Sequence, residues 1–106
     1  MKKKKYTHRL TEEDLVDITL IYEKKQIIKF ALNYRGKILG KWYPIYRVDN
    51  CHGFLHEQKL WRTKEPIPLN ETIPTDLVFD KYSDFIDKNF KKLKSYFKET
   101  MRKWKD

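Results

Sequence analysis

Along the first half of the chain, apolar and polar residues alternate with the two-residue period of a half-buried strand. From Leu15 onward, Val16, Ile18, Leu20 and Tyr22 fall on one face, while Asp17, Thr19 and Glu23 fall on the other. The polar Glu23-Lys24-Lys25 segment breaks the run and turns the chain. Ile28, Phe30, Leu32 and Tyr34 then alternate with Lys29, Ala31 and Asn33 as a second strand, and Arg35-Gly36 is the next expected turn, since glycine reaches positive φ where a turn requires it. A third strand is expected from Lys37 to Asp49, bulged at Pro44 or lying at an edge, because proline donates no ladder hydrogen bond. Asp49 to Gly53 is rich in turn formers. Beyond it, Phe54, His56, Gln58 and Leu60 alternate with Leu55, Glu57, Lys59 and Trp61 in a fourth strand.

The period then changes. Arg62 to Pro74 contains Pro66, Pro68 and Pro74 and reads as an extended crossing segment. Thr75 is in place to cap a helix, after which Phe79, Tyr82, Ile86, Phe90, Leu93, Phe97, Met101 and Trp104 recur at helical spacing. The chain is therefore expected to be an α+β fold, a four-stranded antiparallel β-meander packed against a long C-terminal helix or helix pair. The expected divisions are a flexible basic arm over 1–9, the sheet over 15–61 and the helical part over 75–105, all within one domain of residues 1–106.

Charge adds a partner to this outline. The chain carries 24 Lys and Arg against 15 Asp and Glu, a net charge of +9, which attracts polyanions. Lys88 to Lys105 holds eight basic residues and one acid, a surplus of seven. With so few acidic neighbours at helical spacing these charges repel one another, and a phosphate backbone would relieve that cost. Lys91, Lys94, Lys98 and Arg102 are the helix's expected contacts to nucleic acid. Tyr6 to Asp14 is polar rather than the apolar core of a signal peptide, and no run approaches the ~20 apolar residues of a membrane span. Cys51 is the only cysteine, so no intramolecular disulfide can form. The expected setting is the cytoplasm, with no membrane partner.

Candidate chemistry is concentrated between Arg47 and Lys59. Two of the three histidines, His52 and His56, lie there with Asp49. An imidazole near neutral pH can act as acid, base or metal ligand. Asp49 can orient one, Arg47 and Lys59 can hold a phosphate, and Tyr46 and Trp61 offer stacking surfaces. This set suits metal-independent cleavage of RNA, in which one histidine removes the 2′-hydroxyl proton and the other protonates the leaving oxygen. It also suits a two-histidine, one-carboxylate metal site, or a packed turn with no chemistry. Residues four apart on an extended strand are about 13 Å apart, so the histidines converge only if the turn folds His52 back. Cys51 beside His52 is a poor nucleophile pair, because neighbours on a turn rarely aim at each other.

The segment Asp49-Asn50-Cys51-His52-Gly53-Phe54-Leu55-His56 resembles the Asp-Asn-x-His-Gly-x-x-His signature of TumE-like proteins, the toxin components of toxin–antitoxin pairs. Where members often carry a further histidine, Gln58 and Lys59 stand here. The resemblance implies a toxin-like protein acting on RNA and partnered by an antitoxin, with Asp49, His52 and His56 as motif positions. The leading expectation is a nucleic-acid-acting toxin-like protein, a metal-independent ribonuclease needing no cofactor. The others are a non-catalytic basic module that binds RNA or DNA, and a protein-interaction partner whose basic surface or open sheet edge meets an acidic antitoxin.

Overall fold

In a computed structural model that describes residues 1–104, the chain forms one six-stranded antiparallel sheet and one helix. The strands are β1 (Lys2–Thr11), β2 (Asp14–Glu23), β3 (Gln26–Ile38), β4 (Lys41–Asp49), β5 (His56–Lys59) and β6 (Ile67–Pro68), and each pairs with its neighbours in chain order. The helix α1 (Thr75–Trp104) crosses one face of the sheet, packing on β3 and β4. The α+β class and the meander are as expected. The expected helix end at Lys105 lies outside the described residues.

Two additional strands account for the difference from four. Lys2–Thr11, expected as a flexible arm, is an edge strand whose Lys2 to Arg9 are all exposed. No apolar alternation marks it, because its pairing to β2 rests on main-chain hydrogen bonds rather than on burial. Thr7 adds a side-chain bond to Asp17 at 2.8 Å. Lysine along an exposed edge also deters strand-to-strand aggregation. Ile67–Pro68, in the expected crossing segment, pairs with His56 and Glu57 as a two-residue outer strand. The fourth expected strand begins only at His56.

The turns are set by local geometry. Lys24 and Lys25 both take positive φ, 50° and 67°, in the two-residue hairpin between β2 and β3. Arg35-Gly36 is not a turn. β3 continues to Ile38, and the connection is Leu39-Gly40 with φ of 51° and 81°, the paired positive values of a tight hairpin turn. Gly36 marks a close approach instead. A Cβ there would sit 2.9 Å from Ile45 Cδ1 and 3.2 Å from Lys94 Cε. Of the two alternatives expected at Pro44, an edge position or a bulge, β4 shows the bulge, where Arg35 opposes Pro44 but Tyr34 opposes Tyr46.

The core lies between the sheet and α1. Val16, Ile18, Leu20, Phe30, Leu32, Tyr34, Tyr46 and Val48 meet Val78, Ile86, Leu93 and Phe97. Ring pairs Phe30–Phe79, Tyr34–Phe90, Tyr43–Phe97 and Tyr46–Phe85 run along the contact. Phe90, on the same apolar stripe as Phe97, is half-buried against it. Pro74, not Thr75, accepts the first helical hydrogen bond, from Val78 at 3.0 Å, so Pro74 is the cap residue. The Asp76 carboxylate accepts from the Ile27 amide at 3.1 Å and ties the helix start to β3. Among the described residues, no helix is long and apolar enough to cross a membrane.

Candidate functional site

The turn between β4 and β5 brings Asp49, His52 and His56 into one cluster. Asp49 and His56 are directly opposed across the two strands and are 2% and 6% exposed. His56 Nε2 lies 3.5 Å from Asp49 Oδ2, and its Nδ1 lies 3.2 Å from the Phe54 carbonyl oxygen. Both ring nitrogens therefore face oxygen acceptors. His52 is exposed, and its ring stacks near that of His56 with centroids 6.5 Å apart. Gly53, at φ +95°, makes the fold-back possible. Phe54 also tilts against His56, with ring centroids 4.9 Å apart.

The rest of the turn is anchored to the sheet. The Asn50 side chain accepts from the Phe30 amide at 2.8 Å and donates to the Ile28 carbonyl at 3.4 Å. The Asp49 carboxylate accepts from the Cys51 amide at 3.2 Å. Burial and the nearby Asp49 push the Cys51 thiol up, against a partial opposing effect of Lys29 and Lys3, which makes it a weak nucleophile near neutral pH. The cluster thus presents one accessible imidazole beside a buried Asp–His pair. Among the described residues, no three His, Cys, Asp or Glu side chains are grouped as a metal site would need.

The cations expected around this cluster are distributed differently. Lys59 projects to the helix side, where it pairs with Glu57 at 3.7 Å. Trp61 packs on Tyr96 of α1 at 5.7 Å. Lys94 is only 12% exposed in its side chain, pairing with Asp14 at 3.1 Å and donating to the Glu13 carbonyl at 3.3 Å. It is a seam residue between helix and sheet. Asp14 also accepts from Tyr34 and Thr11, both at 2.6 Å. Burial alone would raise the Asp14 carboxyl, but hydrogen bonds from Thr11, Tyr34 and Lys94, with the Lys94 charge, hold it below its ordinary range. Lys91, Lys98 and Arg102 remain exposed on α1, with Arg102 3.4 Å from Glu99.

Arg47 belongs to a surface that strand-by-strand reading missed. Opposite the helix, the register places Lys3, Lys5 and Arg9 of β1, Lys29 and Arg35 of β3, and Arg47 of β4 on one uncovered face. Asp49 and His56 share that face, and the charges of Lys3 and Lys29 reach Cys51 next to them. Asp17 is paired with Arg35 at 2.8 Å and Asp49 is buried. Toward the β3–β4 turn, a hollow of about 310 Å³ lies among Asp17, Asn33, Arg35, Trp42, Pro44 and Arg47. Asn33 and Arg47, which line it, have Oδ1 and Nε buried without hydrogen-bond partners among the described residues, an arrangement that costs roughly 1–3 kcal/mol for each such group.

The chain belongs to the family described as a domain of unknown function, DUF7718. The family model matches residues 1–103, which takes in the edge strand β1 as well as the helix. No curated protein and no solved structure matches the chain. In this DUF7718 chain, the signal that could have revealed the uncovered face is parity. Lys3, Lys5 and Arg9 share odd spacing on one strand, as do Lys29, Asn33 and Arg35 on another. Asn33 is also a poor strand former set at the middle of a long strand.

Proposed function

We propose that the protein binds single-stranded nucleic acid, RNA being the first to test, along the helix-free face of its sheet. The observation that supports this most directly is the concentration of Lys3, Lys5, Arg9, Lys29 and Arg47 there, with Asp17 paired to Arg35 and Asp49 to His56. A broad sheet face can follow a flexible strand, with cations on phosphates and an aromatic such as Trp42 under a base. Affinity for a short single-stranded RNA should fall steeply with salt, log K changing by about 0.7 per log unit for each phosphate neutralised. Lys3→Glu with Lys29→Glu should weaken binding at least about tenfold. Lys91→Glu with Lys98→Glu on the helix should do less. If the helix pair carries the larger loss, the binding surface is α1.

A second reading is favoured by the cluster at one end of the same face. A strand bound by Lys3 and Lys29 would pass His52, whose exposed ring stands against the Asp49–His56 pair. Under this reading the protein is a toxin-like, metal-independent ribonuclease. His52 acts as acid or base, His56 and Asp49 hold it in place, and an antitoxin covers the face. His52→Ala should then leave RNA affinity intact and lower cleavage or growth arrest by about 10²-fold or more. Cleavage unchanged in His52→Ala would remove the cluster from the mechanism.

A further inference from the structure

The hollow at the β3–β4 end of the uncovered face has the features of a specific subsite. Two of its lining residues, Asn33 and Arg47, are directly opposed on β3 and β4, and their Oδ1 and Nε are a buried acceptor and donor without partners among the described residues. Buried polar groups in folded proteins ordinarily have partners, so these two side chains gain hydrogen bonds if they turn toward a ligand in the hollow they line. Arg35 is already committed. Its guanidinium holds Asp17 through Nε at 2.8 Å and Nη2 at 3.3 Å and lies 5.2 Å over the Trp42 ring. That clamp fixes Trp42 at the rim and neutralises Asp17, which leaves Arg47 as the cation available for an incoming anion. The volume of about 310 Å³ lies at the lower end of the range for small-ligand sites.

We infer that this hollow takes a single nucleotide unit, with the base against Trp42, its polar edge at Asn33, and the phosphate at Arg47. The inference rests on the proposed nucleic-acid-binding face and adds a discrete position at which a base is read. A flat basic surface gives sequence-tolerant affinity from phosphates. A stacking ring beside an amide and a guanidinium adds a term that depends on the base.

The test uses the full chain and ¹⁵N-edited spectra of the Trp42 indole and the Asn33 side-chain amide. The four ribonucleoside monophosphates are titrated beside ribose 5-phosphate and inorganic phosphate. At least one monophosphate should shift both signals saturably, in about the millimolar range of weak single-site binding, while the two base-free probes bind at least about tenfold more weakly. Asn33→Ala and, separately, Trp42→Phe should remove most of that difference, and Arg47→Gln should weaken monophosphate and base-free probes alike. Both signals unmoved by all four monophosphates would overturn the inference, as would equal binding of ribose 5-phosphate, which would make the hollow a phosphate contact only. RNA binding is measured in parallel. Salt-dependent RNA affinity unchanged by Asn33→Ala and Trp42→Phe would overturn the subsite and leave the basic face standing. Saturable monophosphate binding without RNA binding would support the subsite as one for the free nucleotide and overturn the face.

Discussion

Replacing Lys94 by alanine separates the structural cations from the surface ones. The side chain is 12% exposed and its ammonium sits 3.1 Å from Asp14 Oδ1, whose carboxylate also receives Tyr34 and Thr11. Removing one partner of a buried pair costs about 3–5 kcal/mol, because the remaining charge stays buried. Here Asp14 keeps two hydroxyl donors, so the loss should fall near the lower end, about 3 kcal/mol. That is a large part of the 5–15 kcal/mol, roughly, that stabilises a domain of this size. Urea unfolding followed by circular dichroism at pH 7 should show a midpoint lower by about 1–3 M for a typical slope. Lys91→Ala, on the exposed helix face, should change stability by less than about 0.5 kcal/mol.

The pH dependence supplies an independent sign. The folded Asp14 carboxyl is held below its unfolded value of about 3.9. Its contribution is therefore complete above that value and is lost as pH falls through the lower, folded one. Without Lys94 the depression is smaller, so the stability gap between wild type and Lys94→Ala should narrow as pH drops below about 4. A loss under about 1 kcal/mol at pH 7, or a gap that widens in acid, would refute the buried-pair argument. A large fall in RNA affinity for the folded variant would return Lys94 to the binding surface.

Gly36→Ala should destabilise by roughly 1–3 kcal/mol in the same unfolding assay, since the new methyl meets Ile45 Cδ1 at 2.9 Å and crowds Lys94 and Asp14. A stabilised variant would mean that the seam there is loosely packed. Phe97→Ala should cost about 3–5 kcal/mol, and half-buried Phe90→Ala should cost measurably less. Equal losses would contradict the placement of Phe97 in the core and Phe90 at its rim.

The histidine cluster was partly legible from spacing. Asp49, Asn50 and Gly53 mark a turn, and His52 and His56 flank its Gly53-Phe54-Leu55 segment. Whether the rings converge depends on the φ of +95° at Gly53 and on the Asn50 anchor to β3, and neither is encoded in the spacing of the histidines. Lys94 shows the opposite limit. In the sequence it is one of several helix lysines, yet the 3.6-residue period turns it toward the seam, where Asp14 waits eighty positions earlier.

By itself the sequence determined the parts of this protein that repeat: the alternating strands β2 to β4, the single apolar stripe of α1 and the excess of positive charge. Each follows from a local period or a sum, and burial of one apolar face enforces it. Only the tertiary structure decided that Lys2 to Thr11 is a strand, that Gly36 is a contact point rather than a turn, and that cations from three strands share one face with the histidine cluster. Those features depend on which strand lies beside which and in what register. An edge strand held by main-chain bonds, or a face assembled from residues far apart in sequence, leaves no periodic apolar signal to read.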